Sequence, residues 1–282
     1  MALRDLIPAS WRSGATIIPV VRLSGVIGTV TGLPLRTGIT FRGVELALAQ
    51  AFAIKAAPVV ALVINSPGGA AAQSHLIYQR IRALAAEKEK RVVAAVEDLA
   101  ASGGYMIACA ADEIIVDVSS IVGSIGVISA GFGFQDLIKR IGIERRVHTA
   151  GQSKAMLDPF QPERPEDVAR LKAMQEDVHA MFKDLVRSRR PKLGDDPDLF
   201  SGAFWSGKRA VELGLADQLG DLRSIMRARY GDEVRFRLIP TERAPWWRRR
   251  LGVAGGERDP LLLVDRALAL VEERLMWSRF GL

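Results

Sequence analysis

The chain has 282 residues, 49% of them hydrophobic and 25% charged. These proportions exclude collagen-like, low-complexity and disordered organisation, and the length suffices for a full core without metal or disulfide staples. Its one cysteine, Cys109, excludes an intrachain disulfide framework and a cysteine-based zinc site, and the net charge of +7 is concentrated partly in Trp246-Trp247-Arg248-Arg249-Arg250.

In chain order, Met1 to Gly14 carries Arg4, Asp5 and Arg12 and has no apolar run of signal-peptide length. Residues 1–15 are therefore expected to be an N-terminal extension, neither leader nor anchor, with a cytoplasmic location as the default. Strands are expected at Ile17–Leu23, Val59–Ile64, Val92–Val96, Glu113–Val116, Ile125–Ile128, Glu144–His148 and Val234–Leu238. Each is a short apolar or β-branched run bounded by turn-forming residues. Helical spacing of apolar residues marks Phe41–Ala56, Ala71–Lys90 and Pro165–Arg190, the last followed by Pro191. This alternation predicts an α/β fold with βαβ units around a mainly parallel sheet, spanning residues 16–240.

Two uncharged stretches, Ala56–Gln79 and Val118–Gln135, are broken by Gly and Ser clusters and are not expected to span a membrane. Residues 241–282 form an appended basic, amphipathic tail. A helix is expected from Asp259-Pro260 onward, with Leu261, Val264, Leu268, Val271 and Leu275 on one face. Paired tryptophans beside three arginines suit a lipid headgroup interface, and peripheral membrane contact competes there with packing on the domain or on a neighbouring subunit. No aromatic-interleaved basic stripe, helix-turn-helix spacing or finger pattern accompanies the positive charge, so nucleic acid is not an expected partner.

Three glycine-rich turns follow apolar strands. Asn65-Ser66-Pro67-Gly68-Gly69 precedes a helix and suits an oxyanion, but lacks the Lys-Ser/Thr ending of a phosphate loop and the spacing of a dinucleotide fold. Ser102, in Ala101-Ser102-Gly103-Gly104-Tyr105, stands at a helix start, where a hydroxyl is either an N-cap or a nucleophile. Two glycines behind it bare the backbone around the hydroxyl, as an attacked carbonyl requires. Gly123-Ser124-Ile125-Gly126 is the third turn and by itself says only that a strand comes next.

A serine nucleophile needs a base. His75 and His179 fall within helices and are expected to be structural; His148 ends an expected strand beside Arg145 and Arg146, where a structural role is expected ahead of a catalytic one that stays open. Lys154 stands in a loop of small and apolar residues with no carboxylate within three positions. An amine dried out by such neighbours loses its charge and can take the proton of a serine, while the alternative reading is an ordinary solvated surface lysine.

Together these pieces resemble the signal peptide peptidase A family of Ser-Lys serine proteases, which has the Clp protease/crotonase-like fold. The matching segments are Asn65–Gly69, Ala101–Tyr105, Ala110–Asp112, Gly123–Val127, Gly151–Lys154 with Asp158–Phe160, and Trp205–Gly207 with Gly214–Asp217, all in the family's order. The resemblance implies Ser102 as nucleophile, Lys154 as general base and Ser124 as the hydroxyl that orients the lysine. It implies backbone amides near Gly68 and Gly103 as the oxyanion hole, no metal or cofactor, and peptides such as cleaved signal peptides as substrates. One copy of each motif implies a homo-oligomeric ring or dome. The family usually has Tyr before and Ser after the lysine, where this chain has Ser153 and Ala155, which bears on substrate fit.

Two other expectations stay open. A crotonase-like acyl-CoA enzyme would use the same paired amides with Glu97 or Asp98 as its acid. A membrane-associated scaffold would keep the fold with an inactive site.

Overall fold

The computed structural model describes residues 15–28, 38–241, 271 and 274–282. The chain divides into two compact units, one formed by residues 1–125 and 185–282 and the other by Gly126–Asp184.

The first unit is built on an eight-stranded sheet. Its strands are β1 (Ile17–Ser24), β2 (Val59–Ser66), β3 (Arg91–Ala101), β4 (Glu113–Val116), β5 (Ile121–Gly123), β6 (Phe204–Ser206), β7 (Gln218–Leu219) and β8 (Arg235–Ile239). The order is β6-β5-β3-β2-β1-β8, with β4 also on β3 and β7 beyond it, and every pair is parallel except β5 with β6. The eleven-residue β3 is long enough to take two partners on one side: Val93–Val96 pair with β4 and Leu99–Ala101 with β5.

Helix α1 (Phe41–Ala53) starts on Thr40, whose hydroxyl accepts the Gly43 N–H at 3.1 Å. Its Val44, Leu48 and Phe52 are buried, as are Ile77, Ile81 and Leu84 of α2 (Ala71–Glu87). A fully buried side chain of this kind contributes about 1.5–3 kcal/mol. Helix α7 (Leu222–Tyr230), capped by Asp221, inserts Met226 into a core with Ile18, Val20, Val59, Ala61, Val93 and Ile115. With helices contributing to its packing, β2 reads as an almost unbroken buried run.

Further short helices or helix ends belong to this unit. Among them are α3 (Gly103–Ala108), α6 (Gly207–Glu212), the last turn of α5 (Pro165–Arg189) and a 3-10 turn at Pro197–Phe200. Arg190, just past α5, is buried and bonds both carboxylate oxygens of Asp217 at 2.8 and 2.9 Å and the Gly214 carbonyl at 2.9 Å. The paired geometry offsets the desolvation of the guanidinium. Residues 274–278 are helical, so the end of the expected tail helix is seen, while its start and Trp246–Arg250 lie outside the described residues.

In the second unit, α4 (Gln135–Arg140) comes after Phe134, whose N–H donates to the Pro159 carbonyl at 2.6 Å. The Phe134 and Phe160 rings lie 5.7 Å apart, and Arg145 sits over Phe160 at 4.6 Å while pairing with Asp158 at 2.6 Å. Helix α5 opens with Pro165 in its first turn followed by Glu166 and Asp167, which suit the positive end of the helix.

Two expected strands are absent. Ser124, at φ +53°, turns the chain out of the sheet directly after β5, so the apolar run Ile125–Ile128 continues as irregular chain. Glu144–His148 is likewise irregular and exposed, with no neighbouring strand to complete a ladder among the described residues.

Candidate active site

The site grows out of the end of β3. Ser102 succeeds Ala101 with φ +51° and ψ −120°, a conformation costing non-glycine residues about 1–3 kcal/mol. Its N–H donates to the Gly123 carbonyl at 2.8 Å and its carbonyl accepts the Met106 N–H at 2.9 Å, so the backbone is gripped on both sides. The hydroxyl is half-buried and makes no hydrogen bond among the described residues. Helix caps elsewhere in the chain look different. Thr40 and Asp221 have extended backbones and accept helix N–H groups, whereas Ser102 does neither. Of the two roles the sequence leaves open for this hydroxyl, capping is not the one seen.

The Asn65–Gly69 turn closes on this serine. A Cβ at Gly68, where φ is +99°, would lie 2.8 Å from both the Ser102 Cβ and the Ala101 carbonyl oxygen. A Cβ at Gly103 would lie 2.3 Å from the hydroxyl oxygen of buried Ser74. Only hydrogen fits at either place. The Gly68 N–H donates to Ser66 Oγ at 3.2 Å, while the Gly69 and Gly103 N–H groups make no hydrogen bond among the described residues.

Ser124 is next to the carbonyl that holds Ser102. Its N–H donates to the Ala203 carbonyl at 2.6 Å, and the Trp205 ring packs so closely under Gly123 that a Cβ there would lie 2.8 Å from it. Thus Ser102, Ser124, Gly68 and Gly103 converge within the first unit. The supporting strand β6, which carries Trp205, is too short to stand out in the sequence.

Lys154 belongs to the second unit. It lies in a turn, with its N–H donating to the Gly151 carbonyl at 3.2 Å, and its side chain is exposed and without an ion pair among the described residues. The small and apolar neighbours that promise desolvation do not bury it in the single chain. Beside it, Ser153 Oγ accepts from Arg170 at 2.9 Å.

Other candidate groups are engaged elsewhere. Glu97 pairs with Arg22, and Asp98 accepts from Asn65 Nδ2 at 2.6 Å. His75 lies 6.2 Å from the Tyr78 ring in a stacked arrangement, His148 is exposed, and His179 lies on α5. Burial pushes the Cys109 thiol up to about 12. No cluster of His, Cys, Asp and Glu suited to a metal ion occurs among the described residues. Asn65 and Ser66 are both bonded within the turn network; the sequence singles out their turn but assigns neither side chain a role.

The chain resembles known proteins over this same region. The sequence model described as "ClpP-like SDH-type serine proteinase" matches residues 3–139. A protein of Brucella abortus (strain 2308) named Na(+)/H(+) antiporter NhaA is 54% identical over 99% of this chain and 39% of its own length. The chloroplastic serine protease SPPA of Arabidopsis thaliana is 30% identical over 74% of this chain and 31% of its own. The chain therefore spans well under half of either relative. Among solved structures, a point mutant of the 1510-N membrane-bound stomatin-specific protease aligns with 82% of this chain and 99% of its own, at 15% identity and a TM-score of 0.49. The model "Peptidase family S49" matches residues 85–232, more than half the chain and the interval holding Ser102, Ser124 and Lys154, and the chain belongs to that family.

Proposed function

We propose that the chain is a serine endopeptidase module in which Ser102 is the nucleophile and Lys154 the general base. The observation that carries this is Ser102 itself, held in a costly backbone conformation with a free hydroxyl and backed by glycines that admit no side chain. Such strain persists only where the surroundings enforce it. The Ser102 Oγ–H proton passes to the neutral Lys154 amine as Oγ bonds to the scissile carbonyl carbon. Amides of the 68–69 turn and of Gly103 then receive the oxyanion. Collapse breaks the C–N bond, the ammonium proton goes to the leaving amine, and water hydrolyses the acyl-enzyme by the same route. Ser124 orients the lysine.

Exposure of Lys154 in a single chain supports a homo-oligomer as the working form, in which assembly dries the amine. Extended hydrophobic peptides such as released signal peptides are the proposed substrates. The expected crotonase chemistry loses support because both candidate acids are tied to Arg22 and Asn65. The antiporter name of the Brucella protein belongs to a chain of which this one matches 39%. No helix among the described residues is long and apolar enough to cross a membrane. Peripheral membrane contact through residues 241–282 is retained as a proposal, and equal pelleting with liposomes after their deletion removes it.

Labelling by a fluorophosphonate probe tests the core of the reading. Wild type is expected to label at Ser102 and cleave a fluorogenic peptide faster as pH rises above neutral, since the base acts uncharged. Absence of labelling, or cleavage undiminished in Ser102→Ala, overturns it.

A further inference from the structure

Strands β2 and β3 run in register from Val59 with Arg91 to Ile64 with Val96, and then resume at Ser66 with Ala100. One residue, Asn65, therefore faces three: Glu97, Asp98 and Leu99. A bulge of this size unpairs backbone groups and re-aims the strand beyond it. Ser102 stands at the end of that re-aimed stretch, and the bulge is also where β3 exchanges β4 for β5 as its neighbour.

Every residue of the bulge is tied down. Asn65 Nδ2 donates to Asp98 Oδ2 at 2.6 Å, and Asn65 Oδ1 accepts the Leu99 N–H at 3.3 Å. The Asn65 carbonyl accepts the Gly25 N–H from the end of β1 at 2.9 Å. Ser120 Oγ donates to the Glu97 carbonyl at 2.6 Å, and Arg22 pairs with the Glu97 carboxylate. Asn65 thus bridges three strands three residues before Gly68, while Asp98 lies four residues before Ser102.

We infer that Asn65 and Asp98 form a positioning latch that fixes the bulge of β3 and thereby sets Ser102 against the Gly68 turn. The side-chain amide suits the task because it gives a donor to the carboxylate and an acceptor to the Leu99 N–H at once. Without it that N–H loses its partner, and the two turns lose their common reference. The latch accounts for the adjacent acids Glu97 and Asp98, which the hydrolytic chemistry does not use. It rests on Ser102 being the nucleophile.

The test uses the full chain with Asp98→Ala, Asp98→Asn and Asn65→Ala, reading the rate of fluorophosphonate labelling at Ser102 and the kcat and KM for a peptide. Asp98 is exposed, so its truncation opens no core. Asp98→Ala is expected to slow labelling and kcat by about 10- to 100-fold, the effect of a displacement near ~1 Å, with KM within about twofold. Asp98→Asn keeps an oxygen acceptor and is expected to return both to within about threefold of wild type. Asn65→Ala is expected to lose at least as much as Asp98→Ala, and the Asp98 pair decides the matter if Asn65→Ala does not fold. Wild-type labelling by Asp98→Ala, or Asp98→Asn as slow as Asp98→Ala, overturns the latch and leaves the nucleophile standing. A wild type that does not label overturns the nucleophile and the latch together.

Discussion

Ser102 and Lys154 are presented in opposite ways. Ser102 ends an eleven-residue strand, has its backbone bonded on both sides and lies against glycines with no room for a methyl group. Lys154 lies on an exposed turn in a unit that also exposes Phe132, Ile128, Ile141 and Ile143. Local architecture suffices to aim an alcohol. Drying an amine, as the proposed role of Lys154 requires, takes surface that the described residues of one chain do not supply, and exposed apolar side chains are the kind of surface that could join it in an assembly.

The widest effect should come from removing either partner. Lys154→Ala and Ser102→Ala are each expected to lower kcat by about a millionfold, because a nucleophile and base paired as proposed act as one unit. Mixing the two inactive variants sharpens the contrast. Regained peptide cleavage locates the pair between copies, and none locates it within one chain.

Next in size is the difference between glycines of the two regions. Gly68→Ala forces a methyl group against Ser102 and is expected to reduce kcat about 100-fold. Gly131→Ala in the second unit meets nothing within 4 Å and should leave turnover unchanged. Equal losses in both would break the contrast between a clamped and an open region.

A smaller effect concerns stability. The Arg229 guanidinium bonded to Glu113 holds that carboxyl below the usual carboxylate range, helped by Gln218. The stability this gives is present above the unfolded-state value, about 4.3, and is lost as pH falls through the lower folded-state value. Melting curves of Glu113→Gln should therefore depend less on pH in that acid window than those of wild type. Smallest of all is the response of Cys109. Burial keeps it a thiol, so a disulfide reagent should modify it only after unfolding, and rapid reaction of the native protein would show the core behind Ser102 to be open.

Much of the first unit is legible in its sequence, because strands buried on both faces announce themselves as apolar runs. The expected Glu113–Val116 matches β4 to the residue, and β1, β2 and the long helices match to within a few. The second unit is harder to read. Glu144–His148 has strand-like composition but no strand beside it, and nothing in the residues of Ile125–Ile128 reveals that Ser124 turns away from the sheet. At the site, glycine-flanked Ser102 stands out, while its backbone strain and the bulge opposite Asn65 depend on pairing between distant segments and have no local signature. Exposure of Lys154 is hidden for the same reason: local composition does not say what packs against it.

The backbone angles at Ser102 put the proposed activity and durability in opposition. A residue lacking Cβ adopts φ +51°, ψ −120° freely, so Ser102→Gly should melt several degrees above both wild type and the equally inactive Ser102→Ala. With Ser102 as the proposed nucleophile, a costlier fold is kept for the sake of a single oxygen atom, and random mutagenesis selected for heat resistance alone should replace the serine at this codon.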